Sequence, residues 1–370
     1  MKGLIALAVA IGIGRFAFTP LLPMMQADVG LSVAQGGWLA SANYFGYFAG
    51  ALTILAMGWS TSTAVRTGLV VVGASTLAMA LPLVLPAWMA LRFAAGAASA
   101  WVLVSVSAHT ASAQAPLTFA GVGTGIAVAG LACLVLMAAS ASSASAWLVL
   151  GAGAFAGAAI VWNGFGHEAA IDSSQAQADT RGTWTPETIR MVACYGIFGF
   201  GYIIPATFLP AMARQVVSDP AIFGWSWPLF GAAAALSTLA VARLRRTSDD
   251  RRVWILGHLV MAAGVIVPIA WTGLAGIILA AVLVGGTFMV VTMVGMQEAR
   301  RVAGIHARKV VATMTAAFAA GQIAGPLVVS SLAGHASGFS IALAASGLLL
   351  AGSAALLTIA SPTQPARRLP

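Results

Sequence analysis

Apolar residues run along this chain in stretches of about twenty, separated by short breaks marked with charge, Pro, Gly or Ser. A hydrocarbon core about 30 Å thick needs roughly 20 apolar residues per helical span. That ruler predicts twelve membrane helices, over 3–25, 33–57, 64–85, 87–108, 117–138, 146–164, 188–212, 221–242, 252–271, 273–295, 310–333 and 338–360. One break differs from the rest: the polar stretch 165–187, with His167, Glu168, Asp172, Asp179 and Arg181, divides the runs six and six. The expected molecule is an all-α integral membrane protein of twelve transmembrane helices in two six-helix halves, 1–164 and 188–370. Residues 165–187 form a central cytoplasmic loop between them, read as a flexible tether. Lys2 and the apolar residues after it look like the start of a secretory signal. The run continues, however, through Arg15, Pro20 and Pro23 to Met25 without a small-residue cleavage pattern, and it is read as a membrane helix.

Basic residues orient the bundle, because Lys and Arg are retained on the cytoplasmic side. With the N-terminus inside, that side collects Lys2, Arg66, Arg181, Arg190, Arg243, Arg245, Arg246, Arg251, Arg252, Arg300, Arg301, Arg308, Lys309, Arg367 and Arg368, fifteen of the eighteen. One missed or invented span would scramble this asymmetry, so it also supports the helix count. Both termini are expected to be cytoplasmic. The halves are related in sequence as well. A shift of 187 residues aligns Gly12, Gly14, Leu22, Pro23, Met25, Gly37 and Trp38 with Gly199, Gly201, Leu209, Pro210, Met212, Gly224 and Trp225 without a gap. With 41 glycines in the chain the Gly matches weigh little; the Pro and Trp matches weigh more, at 15 and 11 copies. Helices one and two thus recur as seven and eight, the parallel repeat of many transporters.

Composition changes the picture in one respect. The chain is 60% hydrophobic and 7% charged, far from a soluble domain's roughly half-apolar, quarter-charged average. The net charge of +9 does not indicate nucleic acid, since the cations sit between apolar runs and not on one clustered face. Cys133 and Cys194 lie inside apolar runs without CxxC or Cys/His spacing. They are read as small apolar fillers, with no disulfide framework, metal site or cofactor implied.

The candidate chemistry is what remains polar at membrane depth. Arg15 lies about ten residues, roughly 15 Å, from the outer end of its helix, near the bilayer midplane. A cation there costs about 2.5–3.5 kcal/mol on insertion scales and must face a wet cavity or a partner. Two readings stand: a clamp for an anionic group, which the guanidinium fork suits, or a structural Arg bonded to neighbouring carbonyls. Its repeat counterpart is Tyr202, so the halves are not chemically equivalent at this depth. Asn43 and Tyr47 share a helical face, with Tyr44 alongside. They either line the cavity with Arg15 or join the second helix to a neighbour, and Thr19 and Gln322 belong with them. Arg92, about five residues inside the outer end of its helix, either snorkels or pairs with Asp28. No Asp or Glu lies at midplane depth; Asp28 and Glu298, near helix ends, are read as solvated ends. His258 is read as structural and peripheral, and His109, His167, His306 and His335 as interfacial or loop residues. Small residues four apart (Gly46 and Gly50, Gly121 and Gly125, Gly153 and Gly157, Gly321 and Gly325) allow close helix approach, for static packing or for sliding.

Two six-helix halves, a central cytoplasmic loop and cytoplasmic termini together resemble the major facilitator superfamily. Arg92-Phe-Ala-Ala-Gly96-Ala-Ala-Ser-Ala100 matches its Arg-x3-Gly-x3-Ala pattern in the fourth helix. Gly12 to Pro23, Gly-Ile-Gly-Arg-Phe-Ala-Phe-Thr-Pro-Leu-Leu-Pro, is similar to the opening helix of its YbfB/YjiJ-type branch. The likeness extends through Gly46-Tyr47, Gly121-Val-Gly123-Thr-Gly125 and Gln297-Glu298-Ala-Arg300. It implies a secondary transporter, and for Arg92, with Asp28 the nearby acid, a role in coupling or gating with an ion such as H+. The sequence departs from the superfamily in two places. Gly58-Trp-Ser-Thr-Ser-Thr-Ala-Val-Arg66 lacks the Asp of the usual loop between helices two and three, which removes the ion-pair latch expected there. The fifth helix has stacked glycines without the Gly-Pro of antiporters, and Gly325-Pro326 stands in the eleventh instead.

A membrane-embedded enzyme needs convergent acid, base or metal groups, and the nine acids and five His are too scattered for that. A receptor or scaffold normally has a sizeable exterior domain or long tails, which this sequence lacks. A secondary active transporter, moving a small solute across the cytoplasmic membrane by alternating access, fits the repeat, the helix-breaking Pro and Gly and the midplane charge. Arg15 without a midplane acid points to an organic anion. Phe16, Phe18, Trp101, Phe198 and Phe200 point instead to efflux of amphipathic, drug-like compounds. The expected partners are the bilayer, the solute and a coupling ion.

Overall fold

A computed structural model describes residues 1–165, 183–216, 224–244, 250–332 and 338–359. These residues form twelve long helices: α1 (Lys2–Asp28), α2 (Val33–Ala56), α3 (Thr61–Ala78), α4 (Leu85–His109), α5 (Ala115–Ala138), α6 (Ser143–Val161), α7 (Pro186–Val216), α8 (Ser226–Leu244), α9 (Asp250–Ala270), α10 (Leu274–Ala303), α11 (Ala307–Leu332) and α12 (Gly338–Thr358). Each predicted run corresponds to one helix, and the described residues contain no strand. Most of the expected tether (166–182), His335, Arg245, Arg246, Arg367 and Arg368 lie outside the described residues. Large apolar side chains point outward on many helices, with Leu348 71%, Ile160 70% and Val135 68% exposed. In water these would be a liability over so wide a surface; in a bilayer they face lipid, while the helices satisfy their own backbone groups.

Helix ends follow local chemistry more closely than hydropathy does. The apolar run at 64–85 predicted helix to residue 85, but α3 stops at Ala78 and the chain turns through Leu81 and Leu83 before α4 opens at Leu85, because Pro82 disfavours helix at Leu81 before it. In the other direction, α10 continues past residue 295 to Ala303, so Gln297, Glu298, Arg300 and Arg301 are helical. A capping box between Ser32 and Gln35 opens α2. Ser142 caps α6, and the Asp28 carboxylate accepts the backbone N–H of Ser143 there.

The two halves use the same packing scheme. Helix α1 packs on α5, α2 on α4 and α3 on α6; in the second half α7 packs on α11, α8 on α10 and α9 on α12. Across the halves α5 meets α8 and α2 meets α11, the exchange of partners that a two-fold relation between halves requires. Close approach depends on glycine at α2–α4: a Cβ on Gly46 would lie 2.0 Å from the Phe93 carbonyl oxygen, and one on Gly96 2.1 Å from that of Asn43. Most of the glycine pairs picked from sequence act inside one half; between the halves, Gly123 of α5 and Gly231 of α8 leave room for each other's backbone.

Candidate substrate site

Helix α1 is not a regular α-helix. Between Lys2–Leu7 and Phe18–Asp28, residues Ala8–Phe16 wind with π geometry, which shifts each carbonyl from its usual partner and often marks functional positions. Pro20 adds to the deficit, because it has no N–H to offer the carbonyls one turn before it. Groups from α2 and α4 fill the vacancies. Arg92 donates from Nη1 to the Gly14 carbonyl (3.2 Å) and from Nη2 to the Arg15 carbonyl (2.9 Å). Asn43 Nδ2 donates to the Gly14 carbonyl (3.3 Å) and to the Arg92 carbonyl (2.9 Å). Ser99 Oγ lies 2.5 Å from the Ala10 carbonyl. Arg92 is 2% exposed and its guanidinium also lies against the Phe18 ring.

Held this way, α1 directs the Arg15 side chain to the centre of the bundle, 5% exposed. One terminal nitrogen donates to Gln322 Oε1 of α11 (2.5 Å), and Gln322 Nε2 donates to the Tyr202 hydroxyl oxygen of α7 (2.9 Å). The guanidinium carbon stands 3.7 Å from the centroid of the Tyr47 ring, a cation–π contact strengthened by the absence of bulk water. Arg15 Nε, Asn43 Oδ1 and Arg92 Nε are buried without a hydrogen-bond partner. The ion pairs among the described residues all lie toward the predicted cytoplasmic ends: Glu187 with Arg190 and with Arg251, and Glu298 with Arg301. Neither Arg15 nor Arg92 has a carboxylate partner there.

Of the residues singled out from sequence, Arg15, Tyr47, Gln322 and Tyr202 come together, with Arg15 and its repeat counterpart Tyr202 joined through Gln322. Asn43 and Arg92 stand behind them, bonded to backbone. Thr19 lies one turn farther along α1, half-buried and outside this bonded chain. The Arg92–Asp28 pair that depth allowed does not form: Arg92 takes carbonyls, and Asp28 caps α6. Glu298, expected at a solvated end, is 1% exposed and holds Arg301 through both oxygens. His258 is wholly buried and accepts from Trp254 Nε1 (3.0 Å), a packing role within α9. Sequence reasoning missed Phe288 and Phe318. Their rings lie on either side of Tyr202, at 4.5 and 5.4 Å between centroids and within 15° of parallel.

Toward the predicted cytoplasmic ends the halves are bonded directly: Gln297 Nε2 donates to the Ser112 carbonyl (3.3 Å) and Arg308 Nη2 to the Ile54 carbonyl (3.2 Å). Arg66, in the first turns of α3, bonds the Trp162 carbonyl at the end of α6 (2.7 Å) and stays within its own half.

Twelve helices in two matching halves with a polar centre leave one fold to compare. A family model described as "Uncharacterised MFS-type transporter YbfB" matches residues 7–358. The chain belongs to that family. As its members are major facilitator transporters, this is a multi-pass membrane protein of a transporter family. Among solved structures, the human organic anion transporter MFSD10 (TETRAN) is similar at TM-score 0.74 and 15% identity, with 96% of this chain and 99% of that one covered. The major facilitator transporter FucP in its outward conformation gives 0.72 at 13% identity, with 96% and 97% covered. At these identities the likeness is one of fold. No curated protein matches the chain.

Proposed function

We propose that the protein is a secondary active transporter of a small organic anion, which binds to Arg15 at the centre of the bundle and is released by alternating access. One observation carries this reading. Two guanidinium groups, Arg15 and Arg92, are buried side by side at membrane depth without an acidic partner among the described residues. Burying an unpaired charge is costly, so a site that keeps a cation there is built for an anion that comes and goes. Each guanidinium has its Nε unoccupied, but Arg92 has both terminal nitrogens engaged by carbonyls, whereas Arg15 has only neutral side chains, Gln322 and Tyr47, as partners. Arg15 is therefore the group that meets the solute, and Arg92 and Asn43 hold its helix in shape.

Alternating access would rock residues 1–164 against 188–370, with 165–187 as the tether. The Gln297–Ser112 and Arg308–Ile54 bonds must break whenever the cytoplasmic side opens. The fifteen-of-eighteen asymmetry in basic residues supports a cytoplasmic membrane with both termini inside. A second reading, efflux of amphipathic cations, draws on the rings around Arg15: Phe16, Tyr47, Tyr202 and Phe288.

A thermal-shift screen of the purified protein against carboxylates and lipophilic cations tests the choice, since a ligand of the folded state raises its apparent stability. Carboxylates should raise the melting temperature of the wild type and not of Arg15→Ala. Stabilisation by lipophilic cations, equal or greater in the variant, contradicts the anion reading and favours efflux.

A further inference from the structure

The surroundings of Arg15 say more about the solute than its charge. The guanidinium rests on the face of Tyr47 and lies 5.2 Å from the centroid of Phe16. Phe16 stands edge-on to Phe288 (5.7 Å, 89°). Phe288 in turn stacks on Tyr202 (4.5 Å, 15°), and the other face of Tyr202 lies against Phe318 (5.4 Å, 14°). A continuous aromatic surface therefore runs from α1 and α2, past the cation, to α7, α10 and α11.

Tyr202 displays the arrangement a ligand would need. Its flat ring is held between two flat rings, and its oxygen points toward the cation through Gln322. Ring faces are electron-rich and ring edges electron-poor, so such surfaces favour another flat ring over a saturated one of the same size. The count of free cationic groups also limits the ligand. Arg92 has both terminal nitrogens on carbonyls and only its Nε without a partner, whereas Arg15, against the rings of Phe16 and Tyr47, has no side-chain hydrogen bond to a backbone carbonyl and is the guanidinium open to a carboxylate. A second carboxylate would enter the membrane centre unpaired.

We infer that the transported anion is an aromatic monocarboxylate, with its carboxylate on Arg15 and its ring against Phe16, Tyr47 and the Tyr202–Phe288 stack. The inference rests on the organic-anion reading and narrows it.

The test is calorimetric titration of the full-length protein in lipid nanodiscs with 2-naphthoate, its saturated analogue decahydro-2-naphthoate, and naphthalene-2,6-dicarboxylate. Two contacts with ring faces or edges correspond to about a tenfold preference for the aromatic acid over the saturated one. The dicarboxylate should bind far more weakly than 2-naphthoate. In Phe288→Leu the preference should shrink to about threefold or less, with Phe318→Leu as a second variant should the first not fold. In Arg15→Gln both monocarboxylates should lose measurable binding. Equal binding of the two monocarboxylates, lost together in Arg15→Gln, overturns the aromatic class and leaves the anion reading standing. Dicarboxylate binding as tight as that of 2-naphthoate overturns the single-charge assignment. If no carboxylate binds the wild type, the anion reading falls and this inference falls with it.

Discussion

Helices α1 and α7 stand 187 residues apart in sequence and in equivalent places in the bundle, but they reach the centre by different means. α1 carries a π stretch, exposes carbonyls that Arg92 and Asn43 must satisfy, and delivers a cation. α7 is α-helical and delivers Tyr202, a neutral phenol, into a stack of rings. The same shift pairs Asn43 with Phe230, which stacks on Trp227 (5.2 Å, 6°) and makes no polar bond with its side chain. What the repeat preserves is the scaffold: Gly12 approaches α5 as Gly199 approaches α11. The charge lies on the first half alone, while the aromatic rings come from both halves, Phe16 and Tyr47 from the first and Tyr202, Phe288 and Phe318 from the second. An asymmetric site of this kind suits the proposed solute, which has two unlike ends.

That comparison can be broken in graded steps. The largest effect is expected from Arg15→Gln, which keeps a hydrogen-bonding side chain and removes the charge. Carboxylate affinity measured by titration should fall more than about 100-fold, the scale of truncating one partner of a buried, hydrogen-bonded charge pair. Next is Arg92→Gln. It takes the side-chain donor from the Arg15 carbonyl and leaves the Gly14 carbonyl with Asn43 alone, and thermal melting in detergent should report a loss of about 2–3 kcal/mol. Asn43→Leu removes a donor shared by two carbonyls on α1 and α4 and should cost about 1–2 kcal/mol by the same assay. The smallest effect belongs to α7. Tyr202→Phe keeps the ring stack and removes only the oxygen on Gln322, so stability should fall by about 1 kcal/mol while carboxylate affinity changes a few-fold. If Tyr202→Phe proves as damaging as Arg15→Gln, the division of labour between the helices is wrong.

Much of this was legible in sequence because the bilayer fixes the length of each span and the sign of each loop. Twelve runs became twelve helices, and the 187-residue shift that paired Arg15 with Tyr202 joined two residues that the structure connects through Gln322. Other features left weaker marks. The π winding of α1 has no signature in hydropathy; only the Gly-x-Gly before Arg15 and the proline five residues after it hinted that carbonyls would be left free. Depth placed Arg92 within reach of Asp28, but depth does not count unsatisfied carbonyls, and those are what Arg92 binds. Leu81 to Leu85 read as membrane core because hydropathy ignores the conformational limits that Pro82 and Pro86 set. The contacts of Gln322, Phe288 and Phe318 depend on how two halves far apart in sequence come together, and a single chain of letters does not carry that.

The central claim is that Arg15 binds a transported anion. Counterflow tests it most directly: proteoliposomes loaded with unlabelled 2-naphthoate are diluted into labelled 2-naphthoate, with wild type, Arg15→Lys and Arg15→Ala compared after each is shown to be folded. Label should accumulate transiently in wild-type vesicles. Exchange should be roughly tenfold slower for Arg15→Lys, which keeps the charge and loses the fork, and absent for Arg15→Ala. Exchange by Arg15→Ala at the wild-type rate would contradict it.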